Sequence, residues 1–461
     1  MTERVLDNHP RRLELTDELH ARPFMPMPCP GRSLTIAFKE ESNAQERDPD
    51  GDRAHLRAFI DRHAGKQAVA YPAPGANHLL ADLGAFSMKW ERHTEFVSYT
   101  LVEAGARDDV FSGSLMEHVP EDWLAAAPGR VVAAVEIEVL RAADLDAAVA
   151  MVNGPLGKVF GRESLVAARI MDNGALAVGD FRIHSGGFSR FAVIVHDEVG
   201  SRRIGRALQR LVEIENYRIL SMLALPIARR ISARLNEIDR ELSALIAAVA
   251  DREVQRSEKA ILDDLTALSA EIEAMSASTA FRFGAARAYK SIVQERIAML
   301  REDRLIGRQL FSEFMLRRYE PAMRTCKAAA DRLSGLATRA ARIASLLRTR
   351  VDVALEAQNQ EVLRSMNERA YMQLRLQETV EGLSVVAISY YAVSLVGVIL
   401  APLGALAGLD KASLVAIVAV PVVLGVAWMV RRTRERITRA KAEEDAAKAG
   451  DDGAKPGSDT P

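Results

Sequence analysis

The chain is 461 residues long, enough for two or three domains. Charged residues make up 27% of it, yet the formal net charge is only −1, which gives no global attraction to nucleic acid and argues against a nucleic-acid partner. Cys29 and Cys326 are too few for a disulfide framework or a structural zinc site, and such sparing use fits a reducing compartment.

The opening segment lacks the basic-then-apolar run of a cleavable signal, so the large polar part is expected to stay on the side where it is made. A short helix is expected over 11–20, after Pro10. Pro23, Pro26, Pro28 and Pro30 then impose an extended segment. Alternation predicts a strand over 32–40, and an amphipathic pattern predicts a helix over 53–65. Strands are expected at 85–90 and 94–102, with 91–93 as their turn, and at 130–140. A meander follows over 164–171, 175–184 and 191–197, with Asn173-Gly174 a hairpin signal and Ser185-Gly186-Gly187 the next turn. A helix and its exit fill 146–157. Residues 1–198 read as one mixed α+β domain around a sheet of six or so strands.

From Gly200 the period changes. Ile231, Leu235, Ile238, Leu242, Leu245 and Val249 fall on a heptad seam, with Pro226 expected to kink the helix upstream. A break is expected over 277–285, then more helix over 289–320 and another starting near Pro321. Leu336, Ala340, Ile343, Leu347 and Val351 form a further apolar stripe. No Gly or Pro separates Val351 from Glu381. Residues 199–381 therefore read as a long helical, coiled-coil-like stalk. Its seams could close within one chain or against a second copy, which makes a homo-oligomer the expectation.

Residues 382–430 organise the rest. Gly382 to Leu409 carries no charge, Asp410-Lys411 intervene, and Ala412 to Val430 is again uncharged. Each half exceeds the roughly 18 apolar residues needed to cross a bilayer, so the lipid bilayer is the expected partner of a two-helix transmembrane hairpin, with spans at about 384–406 and 412–430. Arg431, Arg432, Arg434, Arg436, Arg439 and Lys441 make a positive-inside flank. Both termini are then expected on the cytoplasmic side, and 431–461 as a basic flank and disordered tail.

Three groupings could carry chemistry. Glu18, His20 and Arg22 combine a carboxylate, an imidazole and a guanidinium, suited to acid–base work or to fixing the proline-rich turn. Trp90, Glu91, Arg92 and His93 form a polar knot at a hairpin tip. Asp180, Arg182 and His184 alternate on one sheet face. In the membrane segment Ser384, Ala387, Tyr391 and Ser394 form a small or hydroxylated stripe, with Gly397 beginning a small-residue series. The stripe allows either close helix packing or the lining of a pore. No GxSxG, HExxH, CxxC or P-loop pattern is present, so the chain reads as a non-enzyme with no expected cofactor or metal.

Taken together, HPRRLELTDELHARPF, MKWERHTEF, GDFRIHSGGFSR, LQRLVEIENYR and VEGLSVVAISYYAVSLVG resemble the signatures of a bacterial family of membrane-anchored proteins defined by a domain of unknown function. That resemblance implies a membrane anchor over nearly the full chain and no particular activity. The architecture is also similar to that of CorA-type magnesium channels, with a cytoplasmic α/β domain, a stalk helix and two C-terminal membrane helices. Their Gly-x-Asn motif at the end of the first membrane helix has no counterpart here. The region reads LAPLGALAGLDKA, and no Asn follows Asn367. The expectation is a membrane-anchored cytoplasmic scaffold, sensor or partner-binding protein in the bacterial inner membrane, with possible cytoplasmic protein partners. A CorA-like conduit is the alternative.

Overall fold

The computed structural model describes residues 9–13, 16, 24–41, 47–64, 69, 71–73, 75–107, 109–161, 163–250, 258–406 and 410–452. The chain divides into two compact units, Met1–Leu347 and Arg348–Pro461.

The first unit is built on a nine-stranded sheet: β1 (Gly31–Lys39), β2 (His78–Asp82), β3 (Ser87–Arg92), β4 (Phe96–Ala104), β5 (Arg130–Arg141), β6 (Val166–Ile170), β7 (Ala175–Ile183), β8 (Ser189–Val195) and β9 (Asp303–Arg304). Their order is β2-β3-β4-β1-β5-β8-β7-β6-β9. Neighbours run antiparallel except β5 and β8, which are parallel in the register Val135↔Ser189 to Arg141↔Val195. A parallel pair needs a crossover. Here it carries α3 (Leu145–Asn153), α4 (Pro155–Phe160) and the β6–β7 hairpin. Asp144 caps α3 by accepting from Ala147 N–H at 2.8 Å.

The expected hairpin of 85–102 forms as β3–β4, with its turn at 93–95 rather than 91–93. The β6–β7 turn has Met171, Asp172 and Asn173 all at positive φ, while Gly174 is not. Asn173-Gly174 thus closes a four-residue loop instead of forming its two central residues. The strict alternation expected of Asp180, Arg182 and His184 is also broken. Phe181 takes φ 55°, and the β7–β8 register slips between Gly179 and Ile183.

Helices cover both faces. On one face α1 (Pro49–His63) and α2 (Glu121–Ala125) pack on the β1, β3 and β4 side chains Leu34, Phe38, Trp90 and Tyr99. On the same side α3 and α4 pack on Leu176, Val178, Ala192 and Ile194. The opposite face meets α5 (Ser201–Met222), α6 (Ala224–Ala250), α7 (Glu258–Leu300) and the start of α8 (Glu320–Leu406). Pro226 sits in the first turn of α6, where a missing N–H costs nothing, so the chain breaks before it, at Leu223.

Two sequence expectations fail in this region. α7 runs unbroken through 277–285, because no proline interrupts the segment and a single glycine, Gly284, does not stop a long helix. Conversely, the helix expected over 289–320 stops at Leu300. Arg301 (φ 47°) and Gly307 (φ 77°) turn the chain, and β9 pairs with the β6 edge. The unit therefore extends to Leu347, well past residue 198, because a late segment returns to the sheet. The seam Ile231, Leu235, Ile238 and Leu242, the α7 residues Ile261, Leu265 and Ile272, and Leu336, Ala340, Ile343 and Leu347 are all buried in the same core. These stripes bury one another inside one chain.

The second unit consists of the remainder of α8 and α9 (Lys411–Asp452). It contains two helices long and apolar enough to cross a membrane, and that apolar surface is hardly buried by the protein itself. Leu395, Ile399, Ile417 and Leu424 are examples of its exposed side chains. Such a surface in water would be an aggregation liability, and it points to membrane association. α9 continues to Asp452, so part of the segment expected as a disordered tail is helical. Glu, Lys and Ala there are good helix formers, and no Gly or Pro interrupts them before Gly450.

Candidate functional site

The two faces of β1, β3 and β4 differ in chemistry. One is the apolar face under α1. The other carries Ser33 and Thr35 on β1, Ser98 and Thr100 on β4, and Lys89 and Glu91 on β3, in register because opposed strand residues share a face. Thr35 Oγ1 and Thr100 Oγ1 hydrogen-bond at 2.9 Å, and Lys89 Nζ lies 2.9 Å from Glu91 Oε1. α5 lies over this polar face and leaves a cavity of about 60 Å³, room for a few water-sized groups. Met25, Met27, Leu208 and Val212 give it an apolar wall. His93 stacks on Phe96, rings 4.1 Å apart, and meets the edge of Tyr217.

Asn216 lines this cavity from α5. It is only 5% exposed, and its Oδ1 has no hydrogen-bond partner among the described residues. An unpartnered buried amide oxygen costs about 1–3 kcal/mol, and such groups in native folds call for a reason. Its neighbours are committed. Glu215 accepts from Ser189 Oγ at 2.7 Å and from both forks of Arg218, while Glu213 accepts from Gln209 at 2.8 Å and pairs with Arg296.

One wall of the cavity is fixed by a close approach. A Cβ on Gly205 would lie 1.9 Å from Met25 O, so only glycine lets α5 seat against the proline-rich segment. Beyond His93, Glu95 is fully buried and receives Arg282 through Nη1 at 3.1 Å and Nη2 at 2.5 Å, with Lys39 Nζ at 3.7 Å. Burial lowers the Lys39 ammonium below its ordinary range, and the Glu95 charge restores part of the shift. Burial and hydrogen bonding to Glu95 push the Tyr289 phenol well up. This charged knot ties β4 to α7.

Of the expected residues, Glu91 and His93 line the cavity. Trp90 points to the opposite face, 0% exposed in the α1 core, and Arg92 follows it by alternation. Glu18, His20 and Arg22 lie outside the described residues. Asp180 accepts from His184 Nε2 at 3.1 Å and from Arg182 N–H, which stabilises the bulge. In the membrane segment Ser384, Ala387, Tyr391 and Ser394 are exposed, and Ser384 Oγ donates back to Val380 O at 2.8 Å. Gly397 alone faces α9, where its Cβ would meet Val415 Cγ2 at 3.3 Å. Ser389, absent from the expected stripe, is the buried hydroxyl.

Reading from sequence missed Ser33, Thr35, Lys89, Ser98, Thr100 and Asn216. Their signal was present as polar residues alternating with Leu34, Ile36, Val97 and Tyr99. That pattern also describes a solvent face, and only the placement of α5 distinguishes the two.

A second polar cluster lies on the other face. Glu136 accepts from Arg190 Nε at 2.9 Å and Ser114 Oγ at 2.6 Å, and Glu138 accepts from Phe111 N–H at 2.7 Å. Burial raises the Glu138 carboxyl above its usual range. These groups satisfy one another with almost no void between them, so they read as structure. Among the described residues no group of three or more His, Cys, Asp or Glu is placed to hold a metal ion.

The family model described as "Protein of unknown function (DUF3422)" matches residues 7–437. The chain belongs to that family. No curated protein and no solved structure matches it.

Proposed function

We propose that this member of the family is a membrane-anchored sensor. Its first unit binds a small polar molecule between the polar face of β1, β3 and β4 and helix α5, and the terminal helices hold it at the bilayer. The observation that carries this reading is Asn216 Oδ1, buried at the cavity and unpartnered, as a group awaiting a donor would be. Lys89 and Glu91 add one charge of each sign, suited to a zwitterion or hydroxy acid of amino-acid size. The reading is one of binding and includes no catalytic step. The basic flank after Val430 supports insertion as a hairpin in the bacterial inner membrane with both termini cytoplasmic. Exposed apolar residues along α8, among them Leu355, Val362, Leu374 and Leu376, support association with a second copy.

The test is a thermal-shift panel of amino acids and small hydroxy acids on the full chain in nanodiscs. At least one should raise the unfolding temperature of the wild type and leave Asn216→Leu unmoved. A panel without effect, or a shift that persists in the variant, would remove this reading. Anchoring is checked separately, by an alkaline carbonate wash of membranes containing the chain. Retention is expected, and release would contradict it.

A further inference from the structure

The first turns of α5 are built against its own dipole. A helix N-terminus favours acidic side chains, yet α5 has none in its first turn and places Arg202, Arg203 and Arg206 at that end. Natural sequences break such local rules chiefly where a site requires it. Arg203, Arg206 and Arg210 follow one side of the helix at spacings of three and four. Arg301 joins them from just beyond the end of α7, with its backbone held in the left-handed region at φ 47°.

Together with the β6–β7 turn these arginines enclose a cleft of about 250 Å³. Among the described residues Asp172 is the one carboxylate lining it, and it is paired with Arg203. Among the described residues no ion pair joins a carboxylate to Arg206, Arg210 or Arg301. The Arg206 guanidinium lies 5.0 Å from the Phe24 ring centroid. Burial first, then the like charges of Arg206, Arg296 and Arg301, lower the Arg210 guanidinium from its ordinary range, with Glu213 offsetting only part. Positive charge is concentrated here without an internal counterion to match it.

We propose that this cleft binds a phosphate-bearing anion. Planar guanidinium forks match phosphate oxygens two at a time, and the α5 N-terminus adds its dipole. The volume falls below the roughly 300 Å³ of pockets for drug-sized ligands, so one or two phosphate groups fit better than a whole nucleotide. The phosphate could be free or could belong to a lipid headgroup. This site is separate from the sheet cavity and does not depend on its reading.

The experiment uses the full chain in phosphatidylcholine nanodiscs. Inorganic pyrophosphate is titrated by calorimetry at low and high salt, and hydrogen exchange over 199–212 is compared between these discs and discs containing phosphatidate. Binding of pyrophosphate that weakens with salt, and weakens about tenfold or more in Arg206→Gln/Arg210→Gln while Arg202→Gln binds normally, supports the proposal with a soluble ligand. Protection of 199–212 by phosphatidate alone, lost in the same double variant, supports it with a lipid headgroup. Should the double variant fail to fold, exposed Arg301→Asn, which tolerates the left-handed backbone, carries the same comparison. No response to either probe, or equal losses in Arg202→Gln, overturns it.

Discussion

The helix-facing surface of the sheet has two halves built to different ends. Across β5, β8 and β7 it is mostly apolar, with Val135, Ile137, Val193, Val195 and Ala177 in one core with α5 and α7, and its buried Ser189 is bonded to Glu215 of α5. Across β1, β4 and β3 it is Ser33, Thr35, Ser98, Thr100, Lys89 and Glu91, and the same helix α5 stands off from it over a cavity. One helix thus seals a dry core at one edge and roofs a polar chamber at the other. The dry half supplies the burial that holds α5 in place, at about 25 cal/mol per Å² of apolar surface. The polar half can then keep an unsatisfied amide.

Both halves depend most on Gly205, where α5 seats. Gly205→Ala forces a Cβ into Met25 O and should cost about 4 kcal/mol or more, read by chemical unfolding of the first unit. Removing the far anchor comes next. Arg282→Ala leaves Glu95 buried with the Lys39 ammonium at 3.7 Å and the Tyr289 hydroxyl beside it, and should cost about 3–5 kcal/mol by the same measurement.

A matched pair of substitutions sharpens the contrast. In the dry half Val193→Ala should cost about 2 kcal/mol through lost contacts and a cavity. In the polar half Thr35→Val with Thr100→Val removes both partners of one half-buried hydroxyl pair. That change should be close to neutral for stability while altering any ligand response.

The smallest effect is a pH dependence on the outer face. His55 is bonded to Tyr99 Oη at 2.8 Å and Trp123 O at 3.0 Å, and burial lowers its pKa below the ordinary imidazole value. The unfolded chain therefore binds the proton more readily. Stability is full above the unfolded pKa of about 6.5 and falls as the pH drops through it toward the lower folded value. His55→Gln should flatten that part of the stability profile.

Much of the fold was legible because it rests on local pattern. Seven of the strands follow alternation or apolar runs, and the membrane segments follow length and charge. What escaped was set by distant contacts. β2 is short and lies at an edge. β9 is a two-residue segment recruited to the sheet from beyond α7, and no periodicity marks it. The candidate site was half legible. Glu91 and His93 stood out as charge at a hairpin tip. Thr35 and Ser98 looked like ordinary solvent positions, and Asn216 is hidden inside LVEIENYR, where a buried polar residue and an exposed one look alike.

If Asn216 serves binding rather than folding, the unfolding free energy of a variant at this position shows it without any ligand. Replacing an amide whose oxygen is buried and unpartnered with a side chain of similar size relieves a cost of about 1–3 kcal/mol. Asn216→Leu should therefore unfold at a higher denaturant midpoint than the wild type with an unchanged slope. A lower midpoint would show that Asn216 holds the fold together, and the sheet cavity would lose its claim as a binding site.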